Sequence, residues 1–250
     1  MKMKIIPLSE GAFTIDKTKV FVPFDTVTDD LQKRPIGSLL VEIDPFLVIT
    51  NSDILLLDTG LGFANKNGIL QIHQNLLDNG INPSEVTKVL LSHLHKDHSG
   101  GVTLKNKQLN QSFLSFPNAT YYVNRKELAY ALENKTGSYI PEEFEILNSS
   151  DKVVLLDDDG FIDGYIHYTM TGAHTPYHIV FMIEENGEKV FFGGDDAPQL
   201  QQMKNRFVAK YDYDGKKCME LRQQWWQQGQ LEKWTFLFYH DIKTPVVTPA

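Results

Sequence analysis

The sequence predicts an α/β fold, a sandwich of β-sheets covered on its outer faces by helices. Three observations point there. Short runs of β-type residues recur through both halves of the chain, helical periodicity appears between those runs, and a 42% hydrophobic content with 11% aromatics allows a substantial core. At 250 residues the chain matches the size of one α/β or β-rich unit, so a single domain over residues 1–250 is expected.

Taken in order, the first strands are expected at Lys4 to Leu8, Ala12 to Ile15, Ser38 to Ile43, Phe46 to Thr50 and Ile54 to Leu57, as an antiparallel meander. Glu10-Gly11, Asp44-Pro45 and Asn51-Ser52-Asp53 supply the turns between them. The segment from Phe21 to Ile36 reads as a loop. Ile69, Ile72, Leu76 and Leu77 recur at helical spacing, and Asn79-Gly80 is a left-handed stop. Val86 to Leu91 then reads as a buried strand that delivers its end to Ser92-His93-Leu94-His95. The second half repeats the layout, with strands at Thr120 to Val123, Lys152 to Leu156, Tyr165 to Met170 and Ile179 to Ile183. A hairpin through Glu185-Asn186-Gly187-Glu188 leads into Val190 to Phe192, and a final strand runs from Thr235 to Phe238. Helices are expected near Arg125 to Asn134 and, as one long segment, from about Pro198 to Gln228.

Composition narrows the function. With 24 basic and 32 acidic residues the net charge is −8, which leaves no overall basic field for a phosphate backbone, so no nucleic-acid partner is expected. Cys218 is the only cysteine, which excludes an intramolecular disulfide, a thiolate zinc knuckle and an iron–sulfur cluster; any metal must be held by histidine and carboxylate. Met1-Lys2-Met3-Lys4 is followed by only Ile5-Ile6 before Pro7, too short for a secretory apolar core, and a cytoplasmic location is expected. No apolar run approaches the roughly 18 residues of a membrane span.

The chemistry concentrates in His93-Leu94-His95-Lys96-Asp97-His98, three imidazoles and a carboxylate within six residues just past a buried strand. His93 and His95 project to one side of an extended segment and can pinch one cation, while Asp97 and His98 can face a second in the turn that follows. Two adjacent divalent ions are the natural reading. His73 and His167 lack such context and read as ordinary surface or core histidines.

This motif resembles the His-x-His-x-Asp-His hallmark of the metallo-β-lactamase-fold hydrolases. The resemblance extends in order through Asp58-Thr59-Gly60, Ser99-Gly100-Gly101, the run Thr171 to His178, Gly193-Gly194-Asp195 and Tyr239-His240-Asp241. It implies an αββα sandwich of two mixed sheets flanked by helices. It also implies that His93, His95 and His174 bind a first metal, that Asp97, His98 and His240 bind a second, and that Asp195 bridges them. Two Zn²⁺ per chain are expected, with Mn²⁺, Co²⁺ or Fe²⁺ as alternatives, and a hydroxide shared between them as the nucleophile. Asp97 is the candidate catalytic residue, passing a proton to the leaving group. Asp58 fits a hydrogen bond to a ligand imidazole, and His178 a buttress for the His174 loop. Asp196 is either an outer acceptor or simply the next loop residue.

Among the branches of that family the chain resembles the lactonase-like one. An acyl-homoserine lactone is the leading substrate class, and the alternatives are a glyoxalase-II-like thioesterase, a phosphodiesterase of the same fold or a non-catalytic metal-binding protein. A small-molecule lactone or ester, neutral and acyl-bearing, is the expected partner. Phe21 and Phe24 on one loop could line its acyl pocket, as could Phe113, Phe116, Tyr139, Ile140 and Phe144 on another. Tyr177 is a further candidate substrate contact. The lactonases it resembles carry a tyrosine where Pro198 stands here, so the carbonyl donor is expected from Tyr139, Tyr177, Tyr211 or Tyr213, or from the metal alone.

Overall fold

A computed structural model describes residues 2–106, 111–134 and 136–249. In chain order the strands of the first half are β1 (Lys4–Pro7), β2 (Ala12–Ile15), β3 (Phe21–Pro23), β4 (Leu39–Glu42), β5 (Phe46–Ile49), β6 (Ile54–Leu57), β7 (Lys88–Leu90), β8 (Thr103–Asn106) and β9 (Gln111–Leu114). They are followed by β10 (Thr120–Asn124), β11 (Val153–Leu156), β12 (Asp159–Ile162), β13 (Ile166–Met170), β14 (Ile179–Glu185), β15 (Glu188–Phe192), β16 (Thr235–Leu237) and β17 (Val246–Val247). The helices are α1 (Gln71–Asp78), α2 (Lys96–Ser99), α3 (Arg125–Glu133), α4 (Pro141–Phe144), α5 (Leu200–Lys204) and α6 (Gly215–Glu232).

Two six-stranded sheets form the body, ordered β1-β5-β6-β7-β10-β11 and β12-β13-β14-β15-β16-β17. Both are mixed. In the first, β6, β7, β10 and β11 run parallel while β1, β5 and β6 pair antiparallel. In the second, only β15 and β16 are parallel. Alternation along the strands then sorts side chains into layers. Phe46, Val48, Leu55 and Leu57 face Ile166, Phe181, Ile183 and Phe192 between the sheets, whereas Leu47 and Leu56 turn the other way onto Ile72, Leu76 and Leu128 of α1 and α3. On the far side Val180, Met182, Phe191 and Phe236 meet Leu200, Met203, Trp225 and Trp226 of α5 and α6. Helix, sheet, sheet and helix are thus stacked in four layers, the αββα sandwich of two mixed sheets.

Three local expectations are corrected. The meander does not form one sheet: β3-β2-β4 is a separate three-stranded sheet, and β1, β5 and β6 belong to the main one. The Phe21 to Ile36 segment is not wholly a loop, since β3 pairs with β2 and sets Phe21 opposite Ile15. The long segment from Pro198 is broken into α5 and α6. Residues 205–214 between them instead hydrogen-bond to the His174 loop, through Tyr213 N to His174 O at 3.0 Å and Asp214 N to Ala173 O at 2.8 Å. Asp214 then caps α6 by accepting from Lys217 N.

Candidate metal centre

The end of β7 sets the site. Beyond Leu91 the chain bends at Ser92 and runs without regular structure to His95, whose backbone is extended, before turning into α2, and His93 and His95 reach the site from this run while Asp97 and His98 come round from the first helical turn. The loop before β14 brings His174, the turn after β15 brings Asp195, and the end of β16 brings His240. Ligand-type atoms of His93, His95, His174 and Asp195 lie within 4.8 Å of one another, and so do those of Asp97, His98 and His240. Asp195 stands between the two groups. Its Oδ2 is 3.2 Å from His174 Nε2, while its Oδ1 is 2.9 Å from His240 Nε2 and 3.1 Å from His98 Nε2.

Each imidazole is oriented by its other nitrogen or its neighbours. His98 Nδ1 meets Asp58 Oδ2 at 2.7 Å, His240 Nδ1 meets the Glu42 carbonyl at 2.7 Å, and His93 Nδ1 lies 3.0 Å from Ser92 Oγ. Asp58 adopts a left-handed backbone, φ 56°, and its carboxylate also accepts from Ser92 N and Ser92 Oγ, each at 2.7 Å. Both oxygens are thus engaged in hydrogen bonds that fix Ser92 and the His98 ring, although Asp58 also lies with His93 and His98 in a third group of ligand-type atoms within 4.8 Å of one another. His174 Nδ1 meets Asp212 Oδ1 at 2.8 Å. Asp212 went unnoticed in the sequence, where nothing marks it.

His178 accepts from Asp195 N at 3.2 Å through Nε2, which leaves Nδ1 protonated toward Asp196 Oδ2 at 3.1 Å. Its ring therefore holds the Asp195 backbone, while its main chain ties the His174 loop, the amide donating to Thr175 O and the carbonyl accepting from Thr171 N and Oγ1. Asp196 is the acceptor for that loop, taking the His174 N–H at 2.7 Å and the Thr171 hydroxyl.

The histidines divide: at His98, His174 and His240 burial is outweighed by the Asp195 carboxylate, which raises their pKa, so protons there compete with any cation for the same nitrogens. Burial, reinforced by the neighbouring histidines, holds His93 and His95 well below the usual imidazole pKa, hence neutral and able to donate a lone pair. At Asp195 burial works against the charged form, but His240, His98 and His174 outweigh it and hold the carboxyl well below its usual range. His93 Nε2 is buried with no hydrogen-bond partner, and His98 Nε2 and Asp195 Oδ1 have only each other and His240 Nε2 within reach, which is the condition of atoms that a metal would satisfy. The residues present therefore fit a pair of divalent ions.

The expected substrate contacts divide. The Phe21 ring packs edge-on to Phe13 and lies under the Lys96 ammonium at 5.6 Å, so it flanks the metal segment. Phe24 instead lines a groove with Val22, Pro23, Thr28, Lys33 and Arg34, which none of the clustered residues touches. Phe116 and Phe144 are fully buried against the α1 and α3 side of the first sheet, so neither can line an acyl pocket; hydrophobic packing has claimed them. The Tyr139 ring lies 4.7 Å from that of His95, but its hydroxyl donates to Glu127 at 3.2 Å and is not free for a substrate. Tyr177 packs on Tyr130, and Tyr213 is 70% exposed. Tyr211, 39% exposed with its ring 6.2 Å from His174, combines access with proximity. His73 packs on Phe116 and His167 on Phe161, away from the clusters.

Among the described residues no helix is long and apolar enough to cross a membrane. A 102-residue stretch is 33% identical to the N-acyl homoserine lactonase AttM of Azorhizobium caulinodans; it amounts to 40% of this chain and 35% of that protein. The match thus spans about a third of the curated relatives' length. Among solved structures, a probable metal-dependent hydrolase from Staphylococcus aureus superposes with a TM-score of 0.79 at 21% identity, covering 99% of this chain and 94% of that one. AidC, described as a dizinc quorum-quenching lactonase in complex with a product N-hexnoyl-L-homoserine, superposes at 0.73 and 22% identity, covering 99% and 90%. At such identities the likeness is one of fold. The family model of the metallo-beta-lactamase superfamily matches residues 41–240, a span that holds every residue of the two clusters and both sheets' site-bearing ends, and the chain belongs to that superfamily.

Proposed function

We propose that the chain is a dinuclear metal-dependent hydrolase that opens a lactone or cleaves an ester, with an acyl-homoserine lactone as the leading substrate class and zinc as the metal. The observation that carries the reading is Asp195, one carboxylate whose two oxygens face two separate histidine clusters. The lactonase relative and the lactonase fold neighbours support the substrate class.

His93, His95 and His174 would hold one ion, Asp97, His98 and His240 the other, and Asp195 both. When bound, the pair supplies Lewis acidity and lowers the pKa of water towards about 7. The chain's own groups do the rest. Asp97 Oδ2 lies 3.6 Å from His240 Nε2 and 3.8 Å from His98 Nε2, at the edge of the second cluster, where it can take up a proton and deliver it to the departing alkoxide. Tyr211 is the donor to the substrate carbonyl that Pro198 cannot supply: its hydroxyl, like any phenol's, is protonated at neutral pH, and its ring lies 6.2 Å from that of His174. Phe21 supplies apolar surface beside the metal segment.

The test is metal analysis combined with a substrate panel of acyl-homoserine lactones of several chain lengths, simple lactones, thioesters and phosphodiesters, each with and without chelator. About two ions per chain and fastest chelator-sensitive turnover on a lactone are expected. Faster cleavage of a thioester or phosphodiester would overturn the substrate class, and a lack of chelator-sensitive turnover throughout would leave a metal-binding protein without catalysis.

A further inference from the structure

We infer that Glu127 is the positioning residue of the first cluster, a single buried carboxylate that sets His93, His95 and His174 together by gripping the chain beside each of them. The inference rests on the two-metal reading above.

Glu127 sits in the first turn of α3 and is fully buried. Its Oε1 accepts from Leu94 N at 3.1 Å and from the Tyr139 hydroxyl at 3.2 Å, and its Oε2 accepts from Thr175 Oγ1 at 2.9 Å. Leu94 is the residue between His93 and His95. Thr175 follows His174. The Tyr139 ring packs against His95 at 4.7 Å. Three segments distant in sequence, each carrying or touching a histidine of the same cluster, therefore meet at one side chain.

The second cluster is braced differently, by Asp58 on His98, by the Tyr239 hydroxyl on Asp97 O at 2.6 Å and by the Glu42 carbonyl on His240. Helix capping does not account for Glu127. Asn124 already caps α3 by accepting from Lys126 N and Glu127 N, and the Glu127 carboxylate reaches across to the metal segment rather than back to the cap. Burying a carboxylate among uncharged donors is costly, and burial raises its pKa, opposed by the Leu94 amide and the Thr175 hydroxyl. Such a group persists where removing it would strand a buried backbone N–H, and here that N–H is Leu94's, between two ligands.

Glutamine discriminates charge from scaffolding, because its carbonyl can accept from Leu94 N and Tyr139 while its amide donates to Thr175 Oγ1. The experiment is Zn²⁺ titration against a chromophoric chelator, with thermal unfolding as the folding check. A His240→Ala background confines binding to the first cluster, and a His95→Ala background confines it to the second. Glu127→Ala should weaken the first cluster about 10- to 100-fold and leave the second within about 3-fold, and Glu127→Gln should restore the first. If Glu127→Ala does not fold, the Thr175→Val/Tyr139→Phe pair removes two of the three bonds and should shift the first cluster alone. Unchanged first-cluster affinity in a folded variant, or equal loss at both clusters, overturns the inference. Fewer than two ions in the wild type would overturn the two-metal reading instead, and Glu127 would then be judged by whether the remaining ion is weakened in Glu127→Ala.

Discussion

Asp212 illustrates what separates legible residues from illegible ones. The six-residue motif is readable because its chemistry is contiguous, and Asp58 because Asp58-Thr59-Gly60 matches a motif of the family the chain resembles. Asp212 lies between two tyrosines in a stretch that reads as helix, 38 residues from the histidine it serves. Its partner is chosen only when the 205–214 segment docks on the His174 loop through Tyr213 N and Asp214 N. Glu127 was hidden for the same reason, since its three partners come from three loops. A carboxylate on the far nitrogen of a ligand histidine fixes its tautomer and raises its basicity. Asp212→Ala should therefore cost about 10- to 100-fold in metal affinity or turnover, while Asp212→Asn, which keeps an acceptor, should cost less. Chelator competition on both variants checks this. Equal affinity in all three proteins would leave His174 oriented by Asp196 and the backbone alone.

Strands proved more legible than the ways they are joined. Alternation along Phe46 to Leu57 and Ile179 to Phe192 sorts side chains between layers, and Asn186 and Gly187, with φ 53° and 79°, make the hairpin between β14 and β15. What no local pattern reveals is how closely two turns pass. The Asp58-Thr59-Gly60 turn runs against the Ser99-Gly100-Gly101 turn so tightly that a Cβ on Gly101 would lie 2.1 Å from Thr59 O, and one on Gly62 would lie 2.0 Å from Gly100 O. That approach lets Thr59 N and Thr59 Oγ1 donate to His98 O at 2.7 and 3.0 Å, and brings the Asp58 carboxylate to the His98 ring. Gly101→Ala should destabilise the fold by about 3 kcal/mol, because the obstacle is backbone and cannot move aside. Gly80→Ala should cost only about 1–2 kcal/mol, since φ +76° strains the alanine but nothing lies within 4 Å. Urea denaturation of the two variants decides. Equal losses would mean that the turns can separate.

At the scale of the whole molecule, the small β3-β2-β4 sheet lies against the body through a buried carboxyl. Glu10, 8% exposed, accepts from Leu61 N at 2.7 Å through Oε2, while its Oε1 has no partner. Gly60 lies directly against the carboxyl, and the buried Tyr239 shares its region. Burial pushes the Glu10 pKa up to about 8, opposed by the Leu61 amide. Because the folded pKa stands above the unfolded value of 4.5, the folded chain keeps a proton that the unfolded chain has released at intermediate pH. The stability this group contributes is therefore complete below about pH 4.5 and is lost as pH rises to about 8, with a slope approaching about 1.4 kcal/mol per pH unit. Glu10→Gln keeps an acceptor for Leu61 N and cannot titrate, so its stability relative to the wild type should improve steadily from about pH 5 to about pH 8. Asp44, also pushed up to about 8 by burial and by Glu42, titrates in the same window in both proteins and cancels in the comparison. Urea midpoints measured for the pair at three pH values supply the check. A difference that stays constant with pH would mean that Glu10 is ionised in the folded chain, with the Leu61 amide stabilising the charge enough to offset its burial against the Gly60 turn.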